Sequence, residues 1–373
     1  MTTIAIIGDA GINPLHEEFQ TADGRQPVFP AGMPRPVLVS LPQTSDPQAA
    51  LAQLQAGPLG NPEPGTLYAV AGTRLLLYAT PGTGRLLEDR AHGTGTASSA
   101  AGRTIGSSPQ SLIVIVPGTQ DASYDWLARQ QWIDVASTSV YAIRTTEQCA
   151  GAAGARTLHA NGGLLFSSSG NAYDYYEPFS VPNGLPEVYQ VGGVDRAGRT
   201  WLPPRPEENE PLFAVGNVVR PYETGARYSF PAASPDGRTG TQPFGGTSGA
   251  TPTVAGYATE LIREARRVLR DRAPRSRAAL ATRRSGAALP TRGPLADGIF
   301  TRDELVSLLH NTATPAETTP GRYLLEGFGA TDSRSHRLAL SVLRGQAAAP
   351  DRTADREFHS QAEQLRQRHT DRC

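Results

Sequence analysis

Two segments, TIAIIG at residues 3–8 and SLIVIVPG at 111–118, are apolar almost without a break and then stop at glycine. A strand with one wet face alternates apolar and polar residues. These do not, so both faces of each strand must be covered, as in a parallel sheet clad by helices on its two sides. Shorter strand candidates fit the same frame: LYAVA and RLLLYA, split by Gly72-Thr73, then WIDVAST, LLFSSSGN and VYQVGGV. Helix patterns lie among them, in DPQAALAQLQAG, in the small-residue stretch HGTGTASSAAG from near His92, at 122–131, and in TTEQCAGAAGARTLHANGG with its glycine stop. Further on, TPTVAGYATELIREARRVLRD predicts a helix with Pro252 near its start, where the missing N–H costs least. FTRDELVSLLHNTAT carries a capping box, Thr301 with Glu304, and SHRLALSVLRG gives one more helix. The expected class is α/β, a mainly parallel central sheet flanked by helices on both faces.

The chain of 373 residues divides at this level into one domain over 1–346 and a polar tail or exposed helix over 347–373. Residues 20–66, rich in Pro, Gly and Gln, read as an excursion from the sheet, and 270–295 as an Arg/Ala/Gly/Pro-rich surface loop. Between 196 and 246 the pattern is loops with short strands. Thirty-five basic residues balance thirty-five acidic ones, so no long-range attraction to a phosphate backbone is expected and nucleic-acid binding is disfavoured. Two cysteines, Cys149 and Cys373, make neither a disulfide framework nor a zinc constellation. No apolar stretch reaches the roughly 18 residues of a membrane span. The start, MTTIAII, lacks a basic leader and reads as a first strand, so a cytoplasmic location is the expectation.

Three segments bear chemistry. In IIGDAG, Asp9 closes a buried strand, the end at which open α/β sheets collect functional groups, although a turn aspartate reads the same way. In DRAHGTGTASSAAG, His92 stands at the start of a helix and alone is as readily structural. In FGGTSGATPTVAG, Ser248 sits among glycines before a helix, where a serine by itself is a helix cap.

Their combination and order resemble the subtilisin-like (S8) serine peptidases. IAIIGDAGINPLHEEF is similar to the aspartate signature, HGTGTASSAAG to His-Gly-Thr-His-Val-Ala-Gly, and GTSGATPTVAG to Gly-Thr-Ser-Met-Ala-Thr-Pro-His-Val-Ala-Gly. A fourth match, FSSSGNAYD, places Asn171 where the family ends a strand in Gly-Asn, and the likeness runs from Thr3 to about Gly345. The resemblance implies Ser248 as nucleophile, His92 as general base, Asp9 as the residue orienting the imidazole, and Asn171 with the Ser248 N–H as oxyanion donors. It implies peptide-binding roles for Ala136, Ser137 and Thr138, at the strand that pairs with substrate in the family, and for Ser168, Ser169 and Gly170 on the opposite pocket wall.

The pattern is not followed throughout. Ala10 lacks the hydroxyl usual beside the aspartate, Gly95 and Thr253 replace histidines, Gly249 replaces methionine, and DVASTSV lacks the glycines of Ser-Leu-Gly-Gly. The 20–66 excursion is a candidate lid over the cleft or a contact to a partner. No cofactor is needed for such chemistry, and no Asp-x-Asp loop marks a calcium site, which leaves structural calcium, like the oligomeric state, open. The implied function is a serine endopeptidase acting through an acyl-enzyme on a peptide or protein substrate. The alternatives are a pathway-specific maturation protease or macrocyclase, and a subtilisin-fold binding module without chemistry.

Overall fold

The computed structural model describes residues 1–83, 86–140, 151–171, 185–195, 223–272, 294–295, 297–315 and 328–352. Calls on Cys149, on Cys373, on the first residues of TTEQCAGAAGARTLHANGG and on 353–373 lie outside them.

Among the described residues nine strands form one sheet: β1 (Thr3–Ile7), β2 (Val37–Val39), β3 (Leu67–Val70), β4 (Leu75–Tyr78), β5 (Leu112–Val116), β6 (Val135–Thr138), β7 (Leu165–Ser168), β8 (Tyr189–Val194) and β9 (Thr224–Arg227), in the order β2-β3-β4-β5-β1-β6-β7-β8-β9. All neighbours run parallel except β3 and β4, which form an antiparallel hairpin about Ala71-Gly72. β1 occupies the middle, paired with β5 on one side and β6 on the other, and every one of its residues is buried. The uninterrupted apolar runs are thus the strands with helices on both faces, and the expected class is borne out.

Among the described residues there are seven α-helices packed around the sheet or on one another: α1 (Pro47–Ala56), α2 (Arg90–Ala101), α3 (Asp121–Ala128), α4 (Ala152–Ala160), α5 (Gly246–Arg272), α6 (Arg302–Thr312) and α7 (Ser333–Leu343). Alternate strand residues divide the core. Ile4, Ile6, Ile113, Ile115 and Phe166 belong to one core with residues of α1, α2, α5, α6 and α7, while Ala5, Ile7, Val114, Val116 and Leu165 belong to the other with residues of α3 and α4. Helix α6 begins on the capping box read from sequence, with Thr301 Oγ1 accepting from the Glu304 N–H and the Glu304 carboxylate accepting from the Thr301 N–H.

Helix α5 departs from expectation. It starts at Gly246, five residues before the predicted Thr251, which places Pro252 inside the helix and Ser248 in its first turn. Proline has no N–H for the carbonyl four residues back, which here is that of Ser248. The hydroxyl of Ser139, just beyond β6, donates to that carbonyl instead, at 3.0 Å. The freed acceptor is therefore satisfied from the sheet, and this bond fixes the first turn of α5 against the end of β6.

The 20–66 excursion supplies β2 to the sheet edge and buries Ala50, Leu51 and Leu54 of α1 in the core. Beyond the sheet lies a separate antiparallel hairpin, β10 (Ser229–Ala233) with β11 (Thr241–Gly245). Its tip is bound from several directions. Asn13 Nδ2 donates to the carbonyls of Ser234 and Gly237, Arg90 donates to Pro235, and Arg238 donates to Thr44 of the excursion. Residues 42–48 of the excursion thus brace the tip of this hairpin. At the other end of the chain, Arg352 is buried and donates to the carbonyls of Ala313 and Phe328, which docks the first residues of the segment read as a tail.

Candidate active site

Asp9 follows the carboxyl end of β1, and its side chain is 1% exposed. One carboxylate oxygen, Oδ1, meets Nδ1 of His92, the third residue of α2. The other, Oδ2, accepts from the hydroxyl of Thr96 at 2.8 Å. A buried carboxylate with no donors is costly, and here both oxygens have one. The imidazole is about one-third exposed, and among the described residues its Nε2 has no hydrogen-bond partner.

Burial is the largest influence on the His92 pKa and lowers it. The Asp9 hydrogen bond, the Asp9 charge and the nearby Asp89 charge together outweigh burial, so the pKa stands above the ordinary 6.5. If neutral His92 is the working base, kcat/KM falls as pH drops through a midpoint above 6.5. Replacing Asp89 by Asn removes one raising charge, so the midpoint moves to lower pH. Profiles of kcat/KM for the two proteins check this, and coincident acidic limbs would refute it.

Ser248 is reached from the opposite side. Its hydroxyl has one recorded contact, to the Ser139 carbonyl at 3.5 Å, the outer limit for a hydrogen bond. No hydrogen bond joins it to His92 among the described residues. Phe244 of β11 lies against residues of both α2 and α5. Its ring packs edge-on against the His92 imidazole, with centroids 5.5 Å apart, and occupies the space beside Gly95 and Gly249. A Cβ at Gly95 would come within 2.5 Å of the Phe244 ring, and one at Gly249 within 2.7 Å of Phe230 in β10. Two of the departures read from the sequence, Gly95 and Gly249, therefore share one cause: each makes room for a phenylalanine of the braced hairpin.

Asn171 stands after β7 beside the start of α5. The Thr247 N–H and hydroxyl both donate to its Oδ1, at 2.7 and 2.9 Å. Only the carbonyl end of an amide accepts, so the NH2 end is turned away from Thr247, and it has no recorded partner among the described residues. Gly246 permits this contact. Its φ is +66°, and a Cβ there would stand 2.7 Å from Asn171 Oδ1.

The peptide-binding residues expected from sequence are placed otherwise. Ala136, Ser137 and Thr138 lie inside β6, buried and paired on both edges, with β1 on one side and β7 on the other. They offer no free backbone edge to a peptide, because β1 and β7 already take both edges of the strand. Ser139 is the first residue beyond the strand. Ser168 is likewise buried at the end of β7, and only Ser169 and Gly170 lead out of the sheet toward Asn171.

Sequence reasoning missed Thr96, Ser139, Phe230 and Phe244. Thr96 was within reach, since it follows His92 by four positions and therefore shares its helix face. The four-residue spacing from Ser248 to Pro252 signalled a carbonyl in need of a donor, but not that Ser139 supplies it.

A model of the Subtilase family matches residues 2–329. The chain belongs to the subtilase family. No curated protein matches it in sequence. Among solved structures, this subtilase is similar to the self-cleaved protease domain of PatA, at 18% identity and a TM-score of 0.53, covering 93% of this chain and 98% of that one. It is also similar to the prenylagaramide maturation protease PagA, at 16% and 0.51, covering 93% and 94%. The PatG macrocyclase domain matches at 17% and 0.51, covering 92% of each chain. At these identities the likeness is one of fold. Among the described residues of the subtilase, no group of three or more His, Cys, Asp or Glu is placed to hold a metal ion, and no helix is long and apolar enough to cross a membrane.

Proposed function

We propose that this subtilase is a serine endopeptidase that opens peptide bonds through an acyl-enzyme, with Ser248 as nucleophile. The observation that carries this reading is the Asp9–His92 pair, a buried carboxylate holding a one-third exposed imidazole whose Nε2 has no hydrogen-bond partner among the described residues. In the proposed cycle His92 takes the Ser248 proton and returns it to the leaving amine, while Asp9 holds the imidazole with its proton on Nδ1. The scissile carbonyl oxygen, as it becomes an oxyanion, receives the Asn171 NH2 and the Ser248 N–H. A donor of this kind typically contributes about 3–4 kcal/mol in the transition state. Thr247 supports this arrangement by occupying Oδ1 and so fixing which end of the amide is presented. Side chains and backbone supply every group the cycle uses, and calcium has no part in it. Peptide substrate would pair with backbone at Ser139 and Val140, and Ser169 and Gly170 would form the facing wall.

The lightly held hydroxyl makes the test direct. A fluorophosphonate probe is expected to label the folded protein, with the adduct mapped by mass spectrometry to the peptide containing Ser248. Folded protein that stays unlabelled would favour the binding-module reading.

A narrower role is also consistent with the site, maturation of a specific peptide with the acyl group passed to water or to an amine. A maturation protease and a macrocyclase domain share this fold, and the DVASTSV segment lacks the Ser-Leu-Gly-Gly glycines. Mass analysis of peptide products separates the outcomes, since a hydrolysed product is heavier than a cyclised one by one water.

A further inference from the structure

Asp9 holds His92 with one oxygen, and something must fix the other. Ala10, beside it in sequence, is exposed and has no hydroxyl, whereas Thr96 is fully buried and its Oγ1 lies 2.8 Å from Asp9 Oδ2. We infer that Thr96 is a positioning residue for the Asp9–His92 pair, its hydroxyl locking the carboxylate in the rotation that presents Oδ1 to the imidazole. This rests on the peptidase reading and extends it to a residue that touches neither substrate nor nucleophile.

The placement follows from helix geometry. Residues 92 and 96 are one turn apart on α2 and face β1 together, so a single carboxylate between them is grasped twice by one rigid element. A carboxylate bonded on one oxygen can swing about its Cβ–Cγ bond, and one bonded on both oxygens in different directions cannot. The competing account is local. The Thr96 hydroxyl also lies 3.1 Å from the Gly93 carbonyl, and threonine in a helix often returns its proton to the preceding turn. A hydroxyl has one proton, and the shorter, charge-assisted contact to Asp9 is the stronger claim on it.

The test replaces the hydroxyl and keeps the shape. In Thr96→Val the rate of fluorophosphonate labelling is expected to fall about tenfold or more, as for a lost hydrogen bond to a charged group. Thr96→Ser should label at the wild-type rate. The low-field Nδ1 proton resonance of His92 reads the pair directly, without catalysis, and should shift in the valine variant but not in the serine variant. Thr96→Ala repeats the comparison should the valine fail to fold. A valine variant with wild-type labelling and an unmoved resonance would assign the hydroxyl to Gly93 and overturn the inference. Absence of labelling in the wild-type protein would count against the peptidase reading alone, because the resonance would still report whether Thr96 acts on the pair.

Discussion

Ser248→Ala is expected to lower kcat/KM for peptide hydrolysis by about five to six orders of magnitude, and adding His92→Ala to it should cost almost nothing more. Neither group accomplishes the transfer alone. Serine is a poor nucleophile until its proton has somewhere to go, and an imidazole without a nucleophile beside it has nothing to activate. The two mutations therefore delete the same event. The structure makes the expectation specific, because Ser248 is not held by a strong hydrogen bond of its own. Its carbonyl is secured by Ser139, whereas its hydroxyl has a single 3.5 Å contact, to the Ser139 carbonyl. Truncating the side chain leaves the helix start intact, so the variant should fold like its parent. A double-mutant cycle on one chromogenic peptide, with circular dichroism on each protein, measures both points. If the two losses simply added, Ser248 and His92 would be acting in separate steps and the proposed proton transfer would fail.

The central strands were legible because burial on both faces leaves an unbroken run: β1 and β5 are buried at every position and apolar at all of them but Thr3, where β1 begins. The edge strand β2 was not. With Val37 and Leu38 exposed and only three residues in the ladder, it has neither the length nor the periodicity that a sheet edge needs to announce itself. The start of α5 was misplaced for a related reason. Gly-Thr-Ser-Gly has poor helix propensity, and the first turn forms through contacts that come from 76 and 109 residues away, Asn171 on the Thr247 N–H and Ser139 on the Ser248 carbonyl. Within the site, Asp9 and His92 were found by motif and are joined by a hydrogen bond, since each sits at a fixed point of a regular element. The partners that tune them, Thr96, Phe230 and Phe244, are set by how α2, α5 and the hairpin pack, and the sequence carried only their shadow in Gly95 and Gly249.

Asp9→Asn should leave the fold in place and cost about four orders of magnitude in kcat. The amide matches the carboxylate in size but has a donor where the acid has a second acceptor. Thr96 offers a hydroxyl proton to one end, so the amide oxygen would turn to Thr96 and the NH2 to His92. An NH2 group facing Nδ1 forces that nitrogen to accept, and the imidazole proton moves to Nε2, the atom required to take the serine proton. The imidazole would then be correctly placed and in the wrong tautomer. Thr96→Val made in the Asp9→Asn background should recover part of the rate, because nothing then fixes which end of the amide meets the imidazole. That reversal, a mutation harmful in the parent and helpful in the variant, follows only if Thr96 acts through residue 9. Rates for the four proteins settle it, and further loss in the double variant would mean that Thr96 supports the site by some route other than the carboxylate.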